Sequence, residues 1–256
     1  MTPLSKSSRA SDIRIDPVST SETTRAGEYT GRGDYHRHLD PHWSYAPIYE
    51  RKVRWVDSVL EAVSKDARLL DVGAGEGALV ERYRHLGHNI VGVDSAYESN
   101  YVNKADLLSL PFDDGAFDTV LCLDVLEHVP LMSQPKAVAE ISRVMKPGAL
   151  LIMSVPNLAH LHSRVKFFFT GKLTRTSAVH RHPGDRPFAE YLDLLRESGL
   201  LVERRGGIFP TVPGIFRLVN HHPAKLGWLV GVLDVLLPFP SLAFLVTMTA
   251  KKSKRA

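Results

Sequence analysis

The sequence predicts an α/β protein built on a parallel sheet with helices on both faces, and three observations carry that reading. From about residue 67 onward, short apolar runs of strand length alternate with helical patterns. These runs are nearly continuous in apolar residues, as expected of strands buried on both faces. The runs Leu69-Leu70-Asp71-Val72 and Ile90-Val91-Gly92-Val93-Asp94 each carry an acid at or near the end, and the first turns through Gly73, Gly75 and Gly77 into a helix.

The composition agrees with a globular chain. At 256 residues it can bury a sizeable core, and 44% hydrophobic, 23% charged and 8% aromatic residues are ordinary values. The net charge of +4 comes partly from the tail Lys251-Lys252-Ser253-Lys254-Arg255, so nucleic acid is not indicated as a partner. The single cysteine, Cys122, excludes an intramolecular disulfide and lies in an apolar run, where it reads as a small buried hydrophobe. A cytoplasmic location is expected from that cysteine usage and from an opening segment without the apolar core of a secretory signal.

Taken in order, residues 1–34 are rich in Ser, Thr, Gly and Arg and predict a disordered N-terminal arm. Residues 35–65 crowd Tyr35, His36, His38, His42, Trp43, Tyr45 and Tyr49 ahead of an amphipathic helix carrying Val53, Val56, Val59, Leu60 and Val63. The histidines have no Cys or Glu partner at ligand spacing, so the stretch is read as an aromatic flap and no metal site is predicted. A first strand over 67–73, a helix over 76–86 closed by Gly87, and a second strand over Asn89–Asp94 follow. Asp106-Leu107 and Leu110-Pro111-Phe112 precede an Asp113-Asp114-Gly115 turn. Phe117–Leu123 is a central buried strand. A helix from Gln134 stops at Lys146-Pro147-Gly148, and a strand over 149–155 is broken by Pro156-Asn157.

Two cofactors fit the glycine turn. Gly73-x-Gly75-x-x-Ala78, with Asp94 beyond it, satisfies a dinucleotide fingerprint and admits an NAD(P)-dependent oxidoreductase. Asp71 and Glu76 argue against it, because they place two carboxylates where a pyrophosphate would sit. S-adenosylmethionine carries a sulfonium and an ammonium and no phosphate, so an acidic turn suits it better.

The ordered pieces Leu70-Asp71-Val72-Gly73-x-Gly75-x-Gly77, Val91-Gly92-Val93-Asp94, Asp106 with Leu110-Pro111-Phe112, Phe117-Asp118, Leu126-Glu127-His128-Val129 and Lys146-Pro147-Gly148 resemble the class I S-adenosylmethionine-dependent methyltransferases. The resemblance is to the branch with ubiquinone- and menaquinone-type small-molecule enzymes. It implies a Rossmann-like three-layer sandwich, with a seven-stranded, mostly parallel sheet and an antiparallel last strand. It further implies that Gly73, Gly75 and Gly77 pack against the methionine and ribose parts of S-adenosylmethionine. Asp71 would hold the ammonium, directly or through water, and Asp94, followed by Ser95, would accept the ribose hydroxyls. Asp106 and Leu107 would meet the adenine, and Leu123 and Asp124 the methionine part. The chain departs from the family between Asp94 and Asp106, where eleven residues replace the usual helix and third strand. Asp118 and Glu127 are read as scaffold residues.

Methyl transfer to a hydroxyl requires a proton acceptor, and His128 is the candidate because it follows the central strand. The alternative for its segment is a helical turn in which the imidazole satisfies backbone groups. Residues 157–187 and 207–240 read as lid insertions over a small-molecule acceptor that is lipid-like, aromatic or glycosylated. In the first lie a helix over 158–170 and the histidines His180 and His182, placed to face the acceptor. A helix over 189–198, a strand Leu200-Leu201-Val202-Glu203 and a closing strand over 243–249 complete a methyltransferase domain over 35–252, with a basic tail over 253–256. Asp234, Pro238 and Pro240 interrupt the apolar run in 207–240, which argues against a membrane span. Peripheral membrane contact helped by the basic tail is the second reading of that stretch. A non-catalytic methyltransferase-like binding module is the remaining alternative for the whole chain.

Overall fold

A seven-stranded sheet organises residues 39–175 and 179–254, which the computed structural model describes. The strands are β1 (Arg68–Val72), β2 (Asn89–Asp94), β3 (Val102–Lys104), β4 (Phe117–Leu123), β5 (Met145–Pro156), β6 (Leu200–Pro210) and β7 (Ala243–Lys252). Their spatial order is β3-β2-β1-β4-β5-β7-β6, and β7 alone runs against its neighbours. The helices are α1 (Ala46–Leu60), α2 (Ala78–His85), α3 (Gln134–Val144), α4 (Leu161–Thr170), α5 (Phe188–Glu197), α6 (Ile215–His221), α7 (Pro223–Leu226) and α8 (Trp228–Leu236). The arm predicted for 1–34, together with Tyr35, His36, His38 and the end of the tail, lies outside the described residues.

The alternation of side chains along each strand divides the core between the two faces. Leu70, Val72, Val120 and Cys122 join Val138, Ile141 and Leu195 of α3 and α5 on one face. Leu69, Leu121 and Leu123 join Val56, Leu60, Val80 and Tyr83 of α1 and α2 on the other. Both faces are therefore apolar, which is why the central strands read as unbroken hydrophobic runs. Each fully buried Leu, Ile or Val contributes roughly 1.5–3 kcal/mol relative to exposure. A third cluster joins Ile48 of α1, Ile208 and Phe209 of β6, Leu245 of β7, and Val230 and Leu233 of α8.

β1 lies between β2 and β4, so the chain winds from β1 toward one edge and then crosses to the other side. The carboxyl ends of β1, β2 and β4 border the crevice this reversal opens, the place where open α/β sheets bind ligands.

Several elements differ from the expectation. The family's third strand, expected to be replaced here, persists as the three residues of β3, paired in parallel with β2, and no helix joins the two among the described residues. Lys146-Pro147-Gly148 does end α3, but it falls within β5 as a register shift opposite Phe117 and Thr119, with Gly148 at φ 81°. β6 continues to Pro210, well past Glu203, because β7 offers it a complete pairing partner. Residues 207–210 are therefore sheet, and α6, α7 and α8 begin after them.

Candidate active site

The glycine turn after β1 forms one wall of a cavity of about 460 Å³ at the crevice. Of the residues singled out from sequence, Gly73, Gly75, Asp94, Ser95, Asp106, Leu107, Leu123, Asp124 and His128 all line it. Gly73 is at φ 71°, and a Cβ there would stand 2.4 Å from Val125 Cγ2. A Cβ on Gly75, also at positive φ, would meet no atom within 4 Å, so this glycine leaves a space against the turn that a ligand can use. Gly77 is different. It precedes α2 at φ 84°, and a Cβ would stand 2.8 Å from Val102 Cγ2, so it packs against the β3 segment and does not line the cavity.

Asp94 ends β2 with its carboxylate turned across the glycine turn. Its Oδ2 accepts from Gly75 N at 2.9 Å, and its Oδ1 accepts from Ala96 N at 2.8 Å and Tyr97 N at 3.2 Å. These bonds fix the carboxylate's direction while leaving lone pairs for a ligand. Asp106 opens a tight turn in which its Oδ1 accepts from Leu108 N at 2.9 Å, and Leu107 stands beside it in the lining.

Asp71 lies behind this lining, buried in β1 rather than in the cavity wall. No group among the described residues donates a hydrogen bond to it. Burial, opposed by Lys52 and reinforced by Asp94, pushes its carboxyl up to about 7. Asp124 is driven the other way. Burial favours its neutral form, but the Lys52 ammonium and hydrogen bonds from Lys52, Ser154 and Tyr45 outweigh burial and hold it below the usual carboxylate range. Lys52 Nζ donates to its Oδ2 at 2.7 Å and Tyr45 Oη donates to the same oxygen at 2.6 Å, while Ser154 Oγ donates to Oδ1. Asp124 adopts φ 58°, a left-handed conformation uncommon for a residue with a side chain, and its N–H donates to Ser154 O at 2.9 Å.

Sequence reasoning missed Lys52 and Ser154. Lys52 sits on α1 with its chain buried and its ammonium 5.0 Å from the Tyr49 ring centroid. A lone lysine on an otherwise apolar helix face is the signal that would have found it. Of the aromatic residues ahead of α1, Trp43 and Tyr45 both line the cavity, their rings 5.2 Å apart.

His128 closes the short 3-10 turn Leu126–His128 at the far rim. Its Nδ1 lies 3.0 Å from Arg181 O, and since a carbonyl only accepts, Nδ1 carries the proton and Nε2 the lone pair in the neutral ring. His182 stacks edge-on against it at 4.7 Å between centroids. Gln134 ties the His182 loop to this rim, its Nε2 donating to Leu126 O at 2.7 Å and Gly184 O at 2.8 Å. His180, expected alongside, is exposed. Glu127 is buried, and burial with the nearby Asp124 and Asp185 charges pushes its carboxyl well above the usual range. Ligand atoms of Glu127, His128 and His182 lie within 4.8 Å of one another, close enough to hold one metal ion. Folding brings His182 to this cluster from a distant loop, a convergence the sequence spacing does not display.

The cavity thus offers Glu76, Asp94, Asp106 and Asp124 and a glycine cradle, with Asp71 buried behind it and lacking a donor. That chemistry fits a ligand with cationic groups and no phosphate. Residues 70–153 match the family model described as a methyltransferase domain. A ubiquinone biosynthesis O-methyltransferase of Burkholderia thailandensis is 30% identical over 213 residues, covering 72% of this chain and 87% of that protein. The chain belongs to the S-adenosylmethionine-dependent methyltransferases. A ubiquinone biosynthesis O-methyltransferase of Thiobacillus denitrificans is 29% identical to this methyltransferase, covering 72% of this chain and 86% of the relative. Among solved structures, the Burkholderia thailandensis 1,6-didemethyltoxoflavin-N1-methyltransferase with bound S-adenosylhomocysteine shares the fold with a TM-score of 0.52 at 16% identity, covering 79% of this chain and 78% of that one. A putative sarcosine dimethylglycine methyltransferase from Galdieria sulphuraria does so at 0.52 and 18%, covering 82% and 87%. The enzyme is an S-adenosylmethionine-dependent methyltransferase, and S-adenosylmethionine is its cofactor.

Proposed function

We propose that this enzyme methylates a hydroxyl of a small-molecule acceptor, with His128 as the general base. The observation that carries the reading is the His128 tautomer, which turns a basic Nε2 away from Arg181 O at the rim of the cavity. The two O-methyltransferase relatives support oxygen as the acceptor atom.

Asp94 holds the ribose hydroxyls, Asp106 and Leu107 the adenine, and Leu123 and Asp124 the methionine part, with Gly73 and Gly75 giving close approach and Ser95 beside Asp94. Asp71 acts on the ammonium from behind the wall, and Gly77 serves through the turn it shapes. Bound S-adenosylmethionine supplies a methyl group activated by its sulfonium. His128 Nε2 takes the proton from the acceptor hydroxyl as the oxygen attacks, and the resulting imidazolium keeps its Nδ1 bond to Arg181 O. Positioning the acceptor in line with the methyl supplies much of the remaining rate.

Of the flap and methyltransferase domain expected over 35–65 and 35–252, the described residues from 39 onward form the flap, and the described residues of the 157–187 segment, pinned through Gln134, form an acceptor lid. A second lid follows from 211 onward. The acidic lining disfavours an NAD(P) pyrophosphate. A metal ion on Glu127, His128 and His182 is a second reading favoured by their convergence. It predicts activity lost to chelator and restored by a divalent cation, which a purely basic His128 does not.

Peripheral membrane contact is proposed through α8, whose Trp228, Val235 and Leu236 are 65%, 77% and 67% exposed. The test of the main reading is His128→Ala: turnover falls by about a hundredfold or more, in line with general-base loss, while cofactor affinity is retained. Unchanged turnover removes His128 as the base.

A further inference from the structure

A second cavity of about 460 Å³ lies away from the glycine turn, between α1, α8 and the β6–β7 pair. We propose that it binds a phosphate-type oxyanion carried on a larger organic molecule.

α1 divides its side chains between the two cavities. Lys52 points toward Asp124, whereas Arg51, Arg54 and Trp55, on neighbouring positions, line the second cavity. Arg204 of β6, paired opposite Thr249, brings to three the arginine side chains around one carboxylate, Asp234, whereas Arg205, opposite Met248 of the other core face, borders the cavity with its backbone. That carboxylate is already engaged, accepting from Arg51 Nε at 2.5 Å and from Phe209 N at 2.7 Å. Among the described residues, Arg204 has no carboxylate within ion-pair distance, and Arg54 has only the exposed Glu50 at 3.7 Å. The positive charge in this cavity therefore exceeds what the protein neutralises.

The walls are shaped for a ligand as well as charged for one. Arg51 is held in place by Asp234 and by Gly231, where a Cβ would stand 2.8 Å from Arg51 Nη1. Gly206 contributes no side chain to the floor, and a Cβ there would stand 2.6 Å from Thr247 Oγ1. Thr247 and Thr249, whose side chains border the same floor, offer hydroxyls. Several guanidinium forks above hydroxyl donors suit a phosphate group, which accepts bidentate bonds at more than one edge. The cavity is far larger than one phosphate, and Trp55 provides a flat wall for the attached organic part.

Calorimetric titration of the full chain with sodium pyrophosphate tests the proposal. The comparison is between wild type, the exposed pair Arg54→Gln with Arg204→Gln, and a control removing the same charge elsewhere, Lys225→Gln with Arg196→Gln. Saturable binding by wild type is expected, weakened about tenfold or more in the cavity variant, as for loss of one charge-assisted contact, and retained in the control. Absence of saturable binding by wild type, or equal weakening in both variants, overturns the site. Sedimentation with phosphatidylcholine vesicles, with and without phosphatidylglycerol, separates the sources. Phosphatidylglycerol-dependent binding that pyrophosphate displaces and the cavity variant loses supports the site with a lipid headgroup. Pyrophosphate binding without vesicle binding supports it with a soluble phosphate compound.

Discussion

Asp71 in β1 and Asp124 just past the neighbouring β4 both feel the Lys52 ammonium, yet their carboxyls are driven in opposite directions. Asp71 is buried without a donor among the described residues and is pushed up to about 7, whereas Asp124 has three donors and is held low. The signs have consequences for stability. For Asp71 the folded state binds a proton that the unfolded chain releases above pH 3.8, so its favourable contribution is present below pH 3.8 and lost as pH rises through about 7. In Asp71→Asn that loss disappears. Urea denaturation at pH 4.5 and pH 8 should show the variant gaining on wild type by a few kcal/mol at the higher pH, at about 1.4 kcal/mol per pKa unit. Parallel pH profiles would contradict the burial argument. Lys52→Met should leave the Asp124 charge buried without its cation and destabilise the protein by about 3 kcal/mol, read from the denaturation midpoint. A change below about 0.5 kcal/mol, typical of surface sites, would show that Lys52 does not neutralise Asp124. At this scale the sequence marked both acids through their position at strand ends. It did not mark Lys52 or Ser154, because the Asp124 network joins residues 72 and 30 positions away.

The elements that were legible are those whose patterns are local. β1, β2, β4 and α3 announce themselves as unbroken apolar runs or helical spacing with a stop signal, and they carry most of the cofactor wall. β3 and the far end of β6 were obscure because they are strands by virtue of a partner: β3 is three residues beside β2, and Arg204, Arg205, Gly206 and Gly207 have weak intrinsic strand preference. The glycine turn illustrates how one motif holds residues with distinct tasks. Gly73→Ala introduces both a positive-φ penalty of about 1–2 kcal/mol and a clash with Val125, so it should lower stability and cofactor affinity together. Gly75→Ala meets open space and should cost the backbone term alone while its methyl intrudes on the ligand. Calorimetry beside denaturation separates the two, and a larger stability loss for Gly75→Ala than for Gly73→Ala would refute the assignment.

At the scale of the molecule, the sheet order creates the crevice and the distant loops complete it. His182 reaches His128 only because Gln134 and the closely packed Gly184 seat the loop against the rim, which no local pattern could reveal. Among the described residues no helix is long and apolar enough to cross a membrane. The exposed apolar face of α8 instead predicts salt-resistant but detergent-sensitive vesicle binding that Val235→Asp weakens, and a wholly soluble wild type would remove that proposal. The acidic glycine cavity is the proposed S-adenosylmethionine site, with Asp94 as its ribose anchor. Calorimetric titration of wild type and Asp94→Ala with S-adenosylmethionine, beside NAD as the competitor, measures this directly. The expected result is S-adenosylmethionine binding by wild type, a loss of about tenfold or more in the variant, and no NAD binding. Equal S-adenosylmethionine affinity in the two proteins, or tighter binding of NAD, would contradict it.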